Sequence, residues 1–212
     1  MEIEIAEETA DALRDYGRVP IAFEVRSVLE VSAPDGGLGG LVMAERPVDP
    51  PYVKDYDAIA GEGPARWAAR FDVSRWGFFA ARAEGRRVGG AAVAFDTPGV
   101  HMLEERRDLA VLWDLRVAPE MRGRGVGAAL VRAAEAWAVA RGARRMKIET
   151  QNINVAACRF YAAMGYDVGA IHRFAYPDLP HETQILWYKD LPVSRSQIGT
   201  CVELGRLPST GG

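Results

Sequence analysis

Cysteine is scarce in this chain, with only Cys158 and Cys201 among 212 residues. Two cysteines do not make a disulfide framework, and that number fits a reducing compartment. Histidine is nearly as sparse: His101, His172 and His181 stand at no metal-ligand spacing, so no metal site is indicated. Long apolar runs are missing too, and nothing approaches the roughly 18 residues of a membrane-crossing helix. The opening segment MEIEIAEETADALRDYG is acidic and lacks the apolar centre of a secretory signal. These absences predict a cytoplasmic protein with no membrane partner. Positive charge is not in excess either. A formal net charge of -3 disfavours nucleic acid as a partner and is compatible with a small cationic substrate. No internal repeat is visible.

What is present is ordinary for a globular chain: 49% hydrophobic and 26% charged residues, enough for one core. The reading is a single domain over residues 1–191 with a variable N-terminal region. Residues 192–212 read as a flexible extension ending in STGG.

Residues 1–20 carry little pattern. Ala22–Val31 has strand composition, PDGG breaks it, and Leu38–Ala44 is a second short apolar run. Pro47, Pro50 and Pro51 then predict a link, with an irregular or helical start near Tyr52–Ile59. Trp76–Ala83 and Val88–Phe95 read as two strand arms around a Glu84-Gly85 turn. Ala110–Val117 is another strand, ended by Pro119. Val126, Leu130, Ala133, Trp137 and Ala140 recur at helical spacing, and Gly142 is a stop. Met146–Thr150 is a strand, and Asn154 can cap a helix that ends near Gly165. Tyr166–Ala170 and Gln184–Tyr188 complete the strands. This order predicts an α/β (α+β) fold, a mixed central sheet with flanking helices.

The strongest chemical signal is RGRGVGAAL, Arg122–Leu130, between a strand and an amphipathic helix. Gly123, Gly125 and Gly127 remove side chains where backbone amides must approach an anion. The helix start adds unpaired amides and the positive end of its dipole. Arg122 and Arg124 add charge-assisted donors. A pyrophosphate fits. The dinucleotide GxGxxG order is absent, as is the lysine followed by serine or threonine of a P-loop. A turn kept glycine-rich only for tight packing stays open on these residues alone.

Arg122, Gly125 and Gly127 match the RxxGxG pattern, and Asn154, Ala157, Phe160, Tyr161, Gly165 and Tyr166 match an NxxAxxFYxxxGF-like pattern downstream. With both, residues 110–165 resemble the core of the GNAT acetyltransferase superfamily. The resemblance implies a splayed-strand acetyl-CoA cleft. Its pyrophosphate cradle would be Arg122, Gly123, Arg124, Gly125, Val126 and Gly127. Main-chain groups at Leu115, Arg116 and Val117 would hold the pantetheine arm, and Asn154, Ala157, Phe160 and Tyr161 would line the site. Acetyl-CoA is the implied cosubstrate, without a metal, and a homodimer is a partnership the family allows.

Amine acetylation needs a neutral amine and a proton route to the leaving thiolate. Tyr161 is the candidate acid, and its alternative is a core tyrosine beside Phe160. Asp114 and Glu149 are the candidate carboxylates, as base or as orienting charge. Their alternative is ion pairing with Arg116 or Lys147. Strand alternation predicts Asp114 and Arg116 on one face, opposite Trp113, Leu115 and Val117. Cys158 reads as a buried thiol.

Ile148–Gln151, Asn152–Asn154, Ala157–Tyr161 and Trp187–Leu191 further resemble bacterial streptothricin acetyltransferases. That resemblance implies acetylation of a β-lysine amino group. It departs at Trp113, where relatives often carry a glutamate, so Asp114 or Glu149 takes that electrostatic work or the substrate differs. Two alternatives stand beside it: acetylation of another small amine, polyamine or peptide amino group, and a CoA-binding regulatory protein without catalysis.

Overall fold

The two arms around Glu84-Gly85 form an antiparallel pair, β4 (Gly77–Ala83) and β5 (Arg86–Phe95), in the computed structural model. Both turn residues have positive φ, 51° at Glu84 and 74° at Gly85. That backbone matches the twist of the flanking strands in a two-residue hairpin. The structure describes residues 2–59 and 61–192. The expected extension beyond Pro192, with Cys201, lies outside the described residues.

β5 pairs antiparallel with β6 (Leu109–Val117), and β6 runs parallel to β7 (Arg145–Gln151). β9 (Gln184–Asp190) follows β7, and β8 (Asp167–His172) closes that edge. β1 (Glu4–Glu8) closes the other, pairing with β4. The seven-stranded sheet has the order β1-β4-β5-β6-β7-β9-β8 and is mixed, as the sequence predicts.

β1 is an addition to that reading. Its acidic composition hides a strand that pairing and charge hold in place. Glu8 accepts from Arg82 at 2.7 Å and also from Arg87, while Glu7 accepts from the Trp137 indole at 2.8 Å. A short helix, α1 (Leu13–Tyr16), follows and buries Tyr16.

β2 (Phe23–Ser32) and β3 (Val42–Lys54) form a separate two-stranded sheet. The proline link expected at 47–51 is instead part of β3. Pairing jumps from Val25↔Tyr52 to Ser27↔Pro47, so Pro50 and Pro51 sit in the irregularity. A residue without an N–H is tolerated there because no ladder bond is required of it. Beyond β3, Trp67–Arg70 forms a second short helix, α2.

α3 (Val126–Ala140) covers β4, β5 and β6 on one face of the large sheet. Val126, Leu130, Ala134, Trp137 and Ala138 supply its buried stripe, while the expected Ala140 is exposed. The opposite face carries an aromatic cluster with Tyr16, Trp67, Trp76 and Phe78, joined by Phe71 and Trp113. α4 (Val155–Ala163) begins at Asn154, whose Oδ1 accepts the Ala157 N–H at 3.1 Å. Such a cap contributes about 1 kcal/mol. Among the described residues, no helix is long and apolar enough to cross a membrane.

Candidate active site

β6 and β7 pair only from Leu109↔Arg145 to Leu112↔Ile148. Both continue, to Val117 and Gln151, but apart. A cavity of about 970 Å³ opens around this fork, at the size of a small-molecule site. Its walls come from β6, β7, the start of α3, α4 and two loops, one carrying Tyr56 and Asp57 and the other Tyr176 and Leu179.

A β-bulge lies on β6 at the fork. Val93 faces Leu112 but Ala92 faces Asp114, so Trp113 is the extra residue. A bulge resets the alternation of side chains. Trp113 packs on Phe71 and Trp76, with ring centroids 5.2 and 5.1 Å away, in the aromatic cluster. Asp114 reaches Tyr16 of that same cluster, while Leu115 and Val117 pack on the α3 side. Simple alternation separates Asp114 from Trp113; the bulge puts them on one side.

The same geometry sorts the main-chain groups expected to hold a pantetheine arm. Ala118 N–H donates to Val88 O at 2.8 Å, and Arg116 O lies 2.9 Å from where a Cβ on Gly89 would sit. Residues 116 and 118 therefore turn their amides toward β5. Leu115 and Val117 turn theirs into the fork, where β7 has left them without a strand partner. Arg116 thus differs from its two neighbours.

At the end of β6 the glycine turn leads into α3. Gly123 and Gly125 have φ of 72° and 83°, and nothing stands within 4 Å of where a Cβ on either would be. The turn leaves open space beside the unpaired amides of a 15-residue helix, a concavity that a phosphate can fill. Gly127 approaches Phe160, whose ring carbon would lie 3.4 Å from an added Cβ. Arg122 serves the turn by bracing it: its guanidinium donates to Val117 O at 3.1 Å and Ala22 O at 2.9 Å. Arg124 is exposed and stands outside the cavity wall, and the Val126 side chain belongs to the core. Asn154, Ala157 and Phe160 line the cavity.

Tyr161 is buried and lines the cavity beside Phe160, with ring centroids 5.1 Å apart. Its hydroxyl has no hydrogen-bond partner among the described residues. Burial holds that hydroxyl well above its ordinary titration range, and the Asp114 charge acts in the same direction. Tyr161 therefore keeps its proton at neutral pH. Cys158 lies beneath, against Thr150 at 3.4 Å, with its thiol pushed up by burial. It is a packing residue.

The two carboxylates have opposite environments. Asp114 accepts from Tyr16 at 2.5 Å and from Arg116 through Nε at 2.9 Å and Nη2 at 2.8 Å. Arg116, with 1% of its side chain exposed, also binds Asp57 and Val19 O. Asp114 is consumed in a buried ion network. Glu149 accepts only from neutral donors: Tyr176 at 2.6 Å, Gln184 at 2.7 Å and Gln151 at 3.2 Å. It forms no ion pair among the described residues. Lys147, the ion-pair partner offered as the alternative for this carboxylate, turns to Glu104 at 2.6 Å.

Sequence reasoning missed Tyr16, Asp57, Tyr176 and Gln184. Each comes from a segment without helix or strand periodicity, or from a strand end, and no spacing announces it. Glu182 was missed likewise. It is buried between Lys54 and Tyr56, whose hydroxyl is 2.9 Å away.

The Acetyltransferase (GNAT) family model matches residues 45–166, more than half of the chain. A streptothricin acetyltransferase of Escherichia coli is 30% identical over 171 residues, covering 78% of this chain and 84% of that protein. A nourseothricin acetyltransferase crystal structure superposes with a TM-score of 0.70 at 23% identity, over 90% of this chain and 99% of the other. A Bacillus anthracis acetyltransferase, solved in complex with acetyl coenzyme A, gives 0.68 at 22%, over 90% and 100%. Fold, forked cleft and family model agree: the chain belongs to the acetyltransferase (GNAT) family and is an acetyl-CoA-dependent N-acetyltransferase.

Proposed function

We propose that the acceptor is a primary amine on a small cationic molecule, specifically the β-lysine amino group of streptothricin. The carrying observation is Glu149, a carboxylate in the cleft wall with neutral donors and no paired cation among the described residues. An ammonium group supplies the missing partner. The streptothricin acetyltransferase activity named for the E. coli relative supports the choice of acceptor.

In this reading the Gly123–Gly127 turn holds the pyrophosphate of acetyl-CoA, and Leu115 and Val117 hold its arm through main-chain groups. Glu149 draws in the ammonium and takes up its proton, directly or through water, so that the nitrogen can attack the acetyl carbon. As the new C–N bond forms and the C–S bond breaks, Tyr161 gives its proton to the sulfur. The second proton released from nitrogen restores the tyrosine. Asp114 keeps Arg116 neutralised and takes no part in the transfer.

The test is acetyl-CoA turnover across streptothricin, lysine derivatives, polyamines, aminoglycosides and peptides, with products mapped by mass spectrometry. Streptothricin should give the highest kcat/KM, with one acetyl group on β-lysine. Faster turnover of a polyamine or a peptide would move the acceptor and leave acetyl transfer standing.

A further inference from the structure

Tyr176 belongs to neither matched motif, yet it makes the shorter of the two contacts to Glu149 Oε1. It lies on the loop 173–183 between β8 and β9, which forms one wall of the cleft. Its hydroxyl donates to Glu149 at 2.6 Å and accepts from Gln151 Nε2 at 3.0 Å. Gln151 also donates to Glu149 at 3.2 Å, which closes a three-membered ring of side chains. Gln184 holds the other carboxylate oxygen at 2.7 Å.

All the donors in this arrangement are neutral. A carboxylate held by neutral donors is fixed in orientation without a counter-charge beside it. A lysine or arginine in the same place would cancel the charge that an ammonium group needs to find. The other titratable groups on this side do not replace the tyrosine. Glu182 acts on Tyr176 from its own loop but is paired with Lys54. Tyr56 donates to Glu182, and Asp114 on β6 is paired with Arg116.

We propose that Tyr176 is a positioning residue that aims the Glu149 carboxylate at the acceptor ammonium, so that the β8–β9 loop selects for cationic acceptors. This rests on the reading of Glu149 as the acceptor-side carboxylate.

Tyr176→Phe keeps the ring and deletes the donor. Streptothricin KM should rise about tenfold, the weight of one hydrogen bond to a charged group, with acetyl-CoA affinity unchanged. Combined with Glu149→Gln, it should add little, because the two substitutions remove one interaction. A readout free of any acceptor is the carboxyl carbon resonance of Glu149 at neutral pH, seen by carbon-detected NMR and assigned by its loss in Glu149→Gln. In Tyr176→Phe that resonance should move, because the carboxylate loses its shortest donor, while streptothricin kcat changes less than KM. An unmoved Glu149 resonance overturns the positioning role whatever the acceptor proves to be. A Glu149→Gln enzyme with normal streptothricin kcat/KM overturns the underlying reading and this inference together. An impaired Glu149→Gln beside an unimpaired Tyr176→Phe overturns the inference alone.

Discussion

Arg116 holds both carboxylate oxygens of Asp114, through Nε at 2.9 Å and Nη2 at 2.8 Å. Both side chains are buried, at 1% and 7% exposure. Removing one partner leaves a buried charge under-compensated, which makes Asp114 a stability residue. Asp114→Asn should lower unfolding free energy by about 3 kcal/mol. Glu149→Gln should change stability little and lower kcat/KM for the amine. Urea titration beside steady-state kinetics checks the pair. A stable Asp114→Asn enzyme with lost turnover would reverse the assignment.

Tyr161→Phe should slow the acetyl-transfer step by roughly 10–10⁴-fold if protonation of sulfur limits it. Acetyl-CoA affinity should change less. Rapid-quench measurement isolates the step from product release. Because burial holds the hydroxyl above its ordinary value of 10.0, the wild-type rate should show no loss from tyrosine ionisation below that pH. An unchanged single-turnover rate in folded Tyr161→Phe assigns the proton to water or another donor.

Gly125→Val should weaken acetyl-CoA binding more than it weakens the fold. The position has φ of 83° and open space around it, so the cost to the fold is backbone strain of about 1–2 kcal/mol without a clash. The new side chain fills the concavity itself. Calorimetry with acetyl-CoA on the folded variant tests this, and equal affinity removes Gly125 from the cradle.

Alkaline pH should destabilise the protein through its buried tyrosines. Burial raises Tyr16, Tyr56, Tyr161, Tyr166 and Tyr176 above the ordinary 10.0. The folded state therefore keeps protons that the unfolded chain releases above about pH 10. The stability these groups contribute is complete below that value and is lost as pH rises through it toward their folded values. Urea midpoints at pH 8, 9, 10 and 11 should fall over the last interval. A rising midpoint there contradicts the burial argument.

The local elements were legible because their signals are local. Val126, Leu130 and Trp137 show the α3 face by spacing, Glu84-Gly85 shows the hairpin, and Asn154 does cap α4. The glycine turn was legible for the same reason. An open concavity there needs glycines beside a helix start, and RGRGVG supplies them at alternate positions in one stretch. β1 was not legible, since an acidic edge strand has no apolar face to announce it.

The sequence by itself determined the strand and helix order from β4 to β9, the glycine turn before α3 and the pairing of Phe160 with Tyr161, all of which follow from neighbours a few residues apart. It offered Asp114 and Glu149 as equals. Tertiary structure separated them: the bulge at Trp113 turns Asp114 toward Tyr16, and Arg116 then neutralises it. Lys147, drawn away by Glu104, leaves Glu149 to Tyr176, Gln151 and Gln184. The free charge of a carboxylate depends on which groups stand within a few ångströms. Those groups come from 16, 57, 104, 176 and 184, positions that only the closed fold brings together.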